Sequence, residues 1–112
     1  MGEVYRTVWR HAKSSPLKLR QIARLLRGKS ASDGRDFLRC IPRKSAQLIG
    51  KVLNSAIANM ENNEGLPIER LRIENVIIEE GRSLRRYVPA ARGSAHPIRK
   101  YTSHINVILI KG

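Results

Sequence analysis

The chain has 112 residues, 41% of them apolar and only 4% aromatic, with a formal net charge of +13. That length fits a single domain over residues 1–112 with a core of its own, and the apolar share excludes a wholly disordered chain. The charge disfavours a partnerless protein, because self-repulsion on this scale costs stability that a polyanion restores.

The elements can be read in chain order. Glu3 to Arg10 alternates loosely through Val4, Tyr5, Val8 and Trp9, which predicts a first strand. Ser15-Pro16 has the form of a helix start, with Ser as N-cap and Pro at the first helical position. Leu19, Ile22, Ala23, Leu25 and Leu26 follow at helical spacing, and Gly28 supplies the stop. Arg20, Arg24 and Arg27 fall on one edge of this helix. A solvated face would look similar.

"SASDGRDFLRCI" predicts a short second helix, with capping-box spacing between Ser30 and Asp33 and an apolar side of Phe37, Leu38 and Ile41. A third helix follows Pro42, with Ala46, Ile49, Val52, Leu53, Ala56, Ile57 and Met60 on one stripe. Gly50 inside it costs about 1 kcal/mol relative to Ala, and suggests close packing by another element. Ile68 to Ile78 reads as a strand whose phase slips before Val76, the mark of a bulge. Ile105, Val107 and Leu109 give a last alternating run. The expected fold class is α+β: three helices packed on a small antiparallel sheet, with a long extended basic β-hairpin at about 81–100.

Charge is laid out in blocks. Residues 6–51 are strongly basic, Glu61 to Glu80 is net acidic, and Arg82 to Lys100 holds no acid at all. Within the last block, "RRYVPAARGSAHPIRK" has little apolar material with which to pack itself. A two-stranded arm of this kind is marginal alone in water, so its cations call for a partner. Nucleic acid is the first candidate and an anionic membrane the second. Arg outnumbers Lys, which suits bidentate phosphate contacts and stacking on bases.

Other chemistries find little support. The N-terminal "MGEVYRTVWRHAK" has no apolar run of the secretory kind, and "VILI" is far too short to span a bilayer. Cys40 is the single cysteine, which agrees with a reducing compartment. His11, His96, His104 and Cys40 match no zinc spacing, so neither a metal nor a cofactor is expected. Glu79-Glu80 is a carboxylate pair at a strand end, read as solvated turn acids, and no phosphate-binding glycine fingerprint occurs. An enzyme is not expected.

Three long blocks carry a family resemblance: "SSPLKLRQIARLLRGKS", "KSAQLIGKVLNSAIANMENNEGL" and "IIEEGRSLRRYVPAARGSAHPIRKYTSHINVIL". In this order, almost end to end, they resemble the large-ribosomal-subunit protein L-twenty-two family of bacterial or organellar type. The resemblance implies a protein that binds large-subunit ribosomal RNA and supports subunit assembly. It implies a globular part near the peptide exit and a hairpin whose tip lines the nascent-peptide tunnel. The match includes Lys18, Arg20, Arg27, Gly28 and Lys29 in the first helix, and Arg85, Arg86, Pro89, Arg92, Gly93, Ile98, Arg99 and Lys100 in the arm. Ala90, Ser94, His96-Pro97 and Tyr101 depart from it, which thins the phosphate contacts near the tip.

Residues and resemblance together give as RNA-binding candidates Lys13, Lys18, Arg20, Arg24, Arg27, Lys29, Arg43, Lys44, Arg82, Arg85, Arg86, Tyr87, Arg92, His96, Arg99, Lys100, Ser103 and His104. The resemblance gives Val88, Pro89, Ala90, Ala91, Arg92 and Gly93 as the tunnel-lining tip. The implied partners are large-subunit ribosomal RNA, neighbouring ribosomal proteins and the nascent peptide near the tip, with no membrane and no second copy of the chain. The expected location is the cytoplasmic ribosome, an organellar one being also compatible. A free regulator of messenger RNA or DNA is the alternative function. A membrane-surface protein is disfavoured, because the few charges and the Asn residues of the third helix suit a packed core.

Overall fold

The computed structural model describes residues 4–81, 84–89, 95–100 and 102–112, with backbone alone for 84–89 and 95–100. Strand β1 (Val4–Ala12) alternates as the sequence predicts, and its register on its neighbour shifts between Trp9 and Ala12. His11 takes φ 59° at that bulge, a left-handed conformation that His tolerates better than most residues. The bulge turns the chain from the sheet into helix α1 (Pro16–Leu26). Leu19, Ile22, Ala23 and Leu26 face the core, whereas Leu25, expected among them, lies 52% exposed.

Gly28 ends the helix with φ 83° and donates its N–H to Ile73 O at 2.9 Å. Helix α2 (Ala31–Arg39) then starts at Ser30, whose Oγ accepts the Asp33 N–H at 3.1 Å as the capping spacing predicts. Helix α3 (Lys44–Glu64) buries the whole expected stripe from Ala46 to Met60 and stops at Gly65 with φ 65°. Residues 68–70, expected as strand, form a 3₁₀ turn after Pro67.

Strand β2 (Leu71–Glu80) carries the bulge, between Ile73 and Asn75. Strands β3 (Leu84–Pro89) and β4 (Ala95–Lys100) pair antiparallel as a separate ribbon, and β5 (Ser103–Lys111) returns to the main sheet. The main sheet is antiparallel with order β1-β5-β2. The three helices pack on it, so the fold is the α+β arrangement expected. Ile73, Ile105, Val107 and Leu109, all at 0% exposure, form its inner face.

The other sheet face has no helix over it among the described residues. Asn106, at 1% exposure, holds its centre. Its Oδ1 accepts from Arg6 Nε at 3.0 Å and Nη2 at 2.6 Å, and its Nδ2 donates to Ile77 O at 3.2 Å and Glu79 Oε1 at 3.3 Å. One side chain thus ties all three strands and draws an acid of the net-acidic block toward Arg6, 3.5 Å away.

Candidate nucleic-acid interface

Two helix starts meet at one place on the surface. The chain enters α1 through Lys13, Ser14 and Ser15, and enters α3 through Arg43 and Lys44. Together with Lys18, Gln21 and Ser45 these residues line a recess of about 470 Å³. Four of the candidates from sequence, Lys13, Lys18, Arg43 and Lys44, are therefore neighbours, all exposed, with no acid in the lining.

The electrostatics of this recess are unusual for a free protein. The first N–H groups of a helix have no partner within it, and the helix dipole leaves partial positive charge there. Chains usually answer with a capping side chain and an acid in the first turn. Helix α2 has both, in Ser30 and Asp33. Helices α1 and α3 have neither: Ser15 and Arg43 make no side-chain cap bond, and no acid stands in either first turn. Lys18 and Lys44 stand there instead. Among the described residues the ion pairs are Arg6–Glu79 and Arg39–Asp36, and neither uses a recess cation. Positive side chains at positive helix ends repel, and a seated anion reverses that sign.

The recess has a fixed floor. Ser103 is fully buried and its Oγ donates to Ser14 O at 2.8 Å. Ser103 thus lies under the recess and holds its backbone, instead of presenting its hydroxyl to a ligand as the sequence suggested. His104, an RNA-binding candidate from sequence, is half-buried, and its Nδ1 accepts the His11 N–H at 3.1 Å.

The other helical candidates divide. Arg24 and Arg27 are exposed along the α1 edge. Arg20 is exposed too, but its Nη2 donates to Ile78 O at 3.1 Å and clips α1 to β2. Lys29 Nζ stands 5.2 Å from the Phe37 ring centroid, in cation–π range.

A second groove, of about 420 Å³, lies between β1 and α3. Thr7, Val8, Trp9, Arg10, Lys51, Val52 and Ser55 line it. Arg10 and Lys51 were not among the sequence candidates. The spacing of Lys44 and Lys51, two turns apart on one helix face, is the signal that was available for one of them.

The hairpin leaves the sheet at a tight neck, where Gly81 N–H donates to Thr102 O at 2.9 Å. A Cβ on Gly81 would lie 2.6 Å from Thr102 Oγ1 and 3.0 Å from its carbonyl oxygen, so no larger residue fits without moving the strands. The ribbon register pairs Arg85 with Arg99, Tyr87 with Pro97 and Val88 with His96. Arg86 and Lys100 stand opposite Ile98 and Leu84, and Pro89 opposite Ala95. The candidates Arg82, Ala90, Ala91, Arg92 and Gly93 lie outside the described residues.

Among the described residues, no three of His, Cys, Asp and Glu gather as metal ligands would. His11 and His104 meet as a pair, edge to face with ring centroids 4.9 Å apart, and Cys40 is exposed and unpaired. No helix among them is long and apolar enough to cross a membrane.

Comparison with known proteins gives one consistent result. Residues 7–110 match the family model described as ribosomal protein L22p/L17e. The chain is 48% identical over 103 residues to the large ribosomal subunit protein uL22 of Opitutus terrae, covering 92% of this chain and 91% of that protein. It is 45% identical over 104 residues to the protein of that name from Akkermansia muciniphila, covering 93% of each, and 47% identical over 104 residues to that of Methylacidiphilum infernorum, covering 93% and 91%.

Proposed function

The chain belongs to the ribosomal protein L22p/L17e family and is a structural constituent of the large ribosomal subunit, not an enzyme, and from this we infer that it works by binding large-subunit ribosomal RNA. The observation that supports this reading best is the recess where Lys13, Lys18, Arg43 and Lys44 surround two helix starts that lack caps and acids. Such a site favours the phosphates of a folded RNA backbone over a neutral or cationic partner. Recognition then rests on RNA shape and on unpaired nucleotides, more than on duplex sequence.

The basic ribbon β3–β4 is the second contact. Its register sets Arg85 opposite Arg99, and a two-stranded ribbon whose sequence holds cations and no acid is marginal alone and favoured against a polyanion. In this reading the arm threads between RNA helices, supports assembly of the subunit, and brings its tip, residues 88–93, to the wall of the nascent-peptide tunnel. Neighbouring ribosomal proteins complete the surroundings of the globular part. The chain acts as a single copy in the cytoplasmic ribosome.

Ultraviolet crosslinking of the tagged chain in cells, with sequencing of the attached RNA, tests this. Reads should concentrate on large-subunit ribosomal RNA, and deletion of residues 84–96 should remove the subset at the tunnel. Reads scattered over messages or DNA, without enrichment in ribosomes, would point to the regulator function instead.

A further inference from the structure

We propose that the groove between β1 and α3 is a stacking slot for one unpaired RNA nucleotide, with Trp9 as its platform and Arg10 and Lys51 holding the flanking phosphates. The proposal rests on the RNA-binding reading above and assigns a second site to it.

Trp9 is the only tryptophan of the chain. It is half-buried: it packs against the core cluster and also lines the open groove. A ring fixed by the core and open beside it loses little freedom when a base joins it. Val52, at 2% exposure, extends the apolar floor, and Thr7 and Ser55 offer hydroxyls at the rim. The charged residues of the lining are Arg10 and Lys51, with no acid. Apolar platform, hydroxyl rim and cationic flanks are the combination by which proteins hold single-stranded nucleotides.

The groove continues the recess. Residues 13–15 lie beside 43–45 in the recess, and residues 7–10 lie beside 51–55 in the groove, so the same two stretches of chain border both. Lys44 and Lys51 are two turns apart on one face of α3, about 10 Å along its axis. One strand of RNA seated on the recess can therefore run on into the groove. An added peptide strand on the free edge of β1 is the competing occupant. The cationic lining restricts that occupant to an acidic peptide, which an acidic polypeptide probe distinguishes from RNA.

The test uses the full chain and a transcript of large-subunit ribosomal RNA, with binding read by filter retention and Trp9 read by its own fluorescence. Binding should quench the emission, and ultraviolet crosslinking should leave a nucleotide adduct on the peptide holding Trp9. Trp9→Leu, which keeps an apolar side chain beside Val52, should weaken binding about 5- to 150-fold, the range for loss of one stacked base. Lys51→Gln, at an exposed position, should reduce the quenching while leaving the fold intact. RNA retained on the filter with unchanged emission and no adduct would overturn the slot and leave the RNA-binding reading standing. Failure to retain RNA at all would overturn both. Equal quenching by polyglutamate would make the groove an acidic-peptide site and overturn the proposal.

Discussion

Lys44 tests the recess most sharply, because reversing its charge should raise stability and lower binding at once. It is exposed, opens α3, and takes part in none of the ion pairs of the described residues. A cation in the first turn of a helix is unfavourable by about 0.3–1 kcal/mol, and an acid there is favourable by a similar amount. Lys44→Glu should therefore stabilise the free protein by about 0.6–2 kcal/mol at low ionic strength. For a domain of this size that is a rise in melting temperature of about 2–8 °C. Raising the salt should shrink the gain, because the charges are exposed and screened.

RNA binding should move the other way. Lys44→Gln removes one phosphate contact, so the slope of log affinity against log salt should fall in magnitude by about 0.9, and by less on a single strand. Lys44→Glu should weaken binding further, since it sets a carboxylate against the phosphate. Circular-dichroism melts of the free protein and filter binding across about 50 to 200 mM salt give both numbers. A Lys44→Glu variant that melts lower than the parent, or a Lys44→Gln variant that binds RNA with an unchanged slope, would refute the claim that this recess is built for an anion.

Gly50→Ala should raise stability by about 0.5–1 kcal/mol in urea unfolding, because the added Cβ would meet Leu38 Cδ1 at 3.9 Å, an ordinary contact. The packing inferred from that glycine is present but does not require it, and a loss of stability would show that Leu38 cannot accept the methyl. Asn106→Ala should cost about 1–2 kcal/mol in the same assay, with exposed Arg6 and Glu79 recovering water in part; a change below about 0.5 kcal/mol would mean that the three-strand tie adds nothing. Gly81→Ala should cost about 1–3 kcal/mol by overpacking the hairpin neck against Thr102, and a parental urea midpoint would show that the neck opens freely.

Most of the fold was legible because its signals are periodic. The α3 stripe, the alternation of β5 and the β2 bulge all follow from side-chain phase, and Ser30–Asp33 announced its cap by spacing alone. The errors lie where tertiary context decides. Leu25 stands three residues after the buried Ile22, a spacing compatible with the core face, yet it falls beyond the edge of the stripe that α1 packs inward and stays in water. Residues 68–70 read as strand as the start of the alternating run that ends at Ile78, but Pro67 leads into a turn before pairing begins at Leu71.

The site was legible as a list of cations and not as a place. Lys13 and Lys18 are near one another in sequence, and so are Arg43 and Lys44, but only packing of α1 beside α3 brings the two pairs together. Ser103 stands among the RNA-binding candidates from sequence, and burial of the start of β5 under Ser14 makes it a support instead. What separates the recess cations from an ordinary solvated edge is their position on the helix, not their number. Arg24, near the C-terminal end of α1, lies where a cation is favoured without any ligand. Lys18 and Lys44 lie at the opposite ends, where a cation is tolerated at a loss of stability. Charges that the fold itself disfavours are better evidence of an anionic partner than charges it welcomes, and by that criterion the two helix starts outrank the arginine edge.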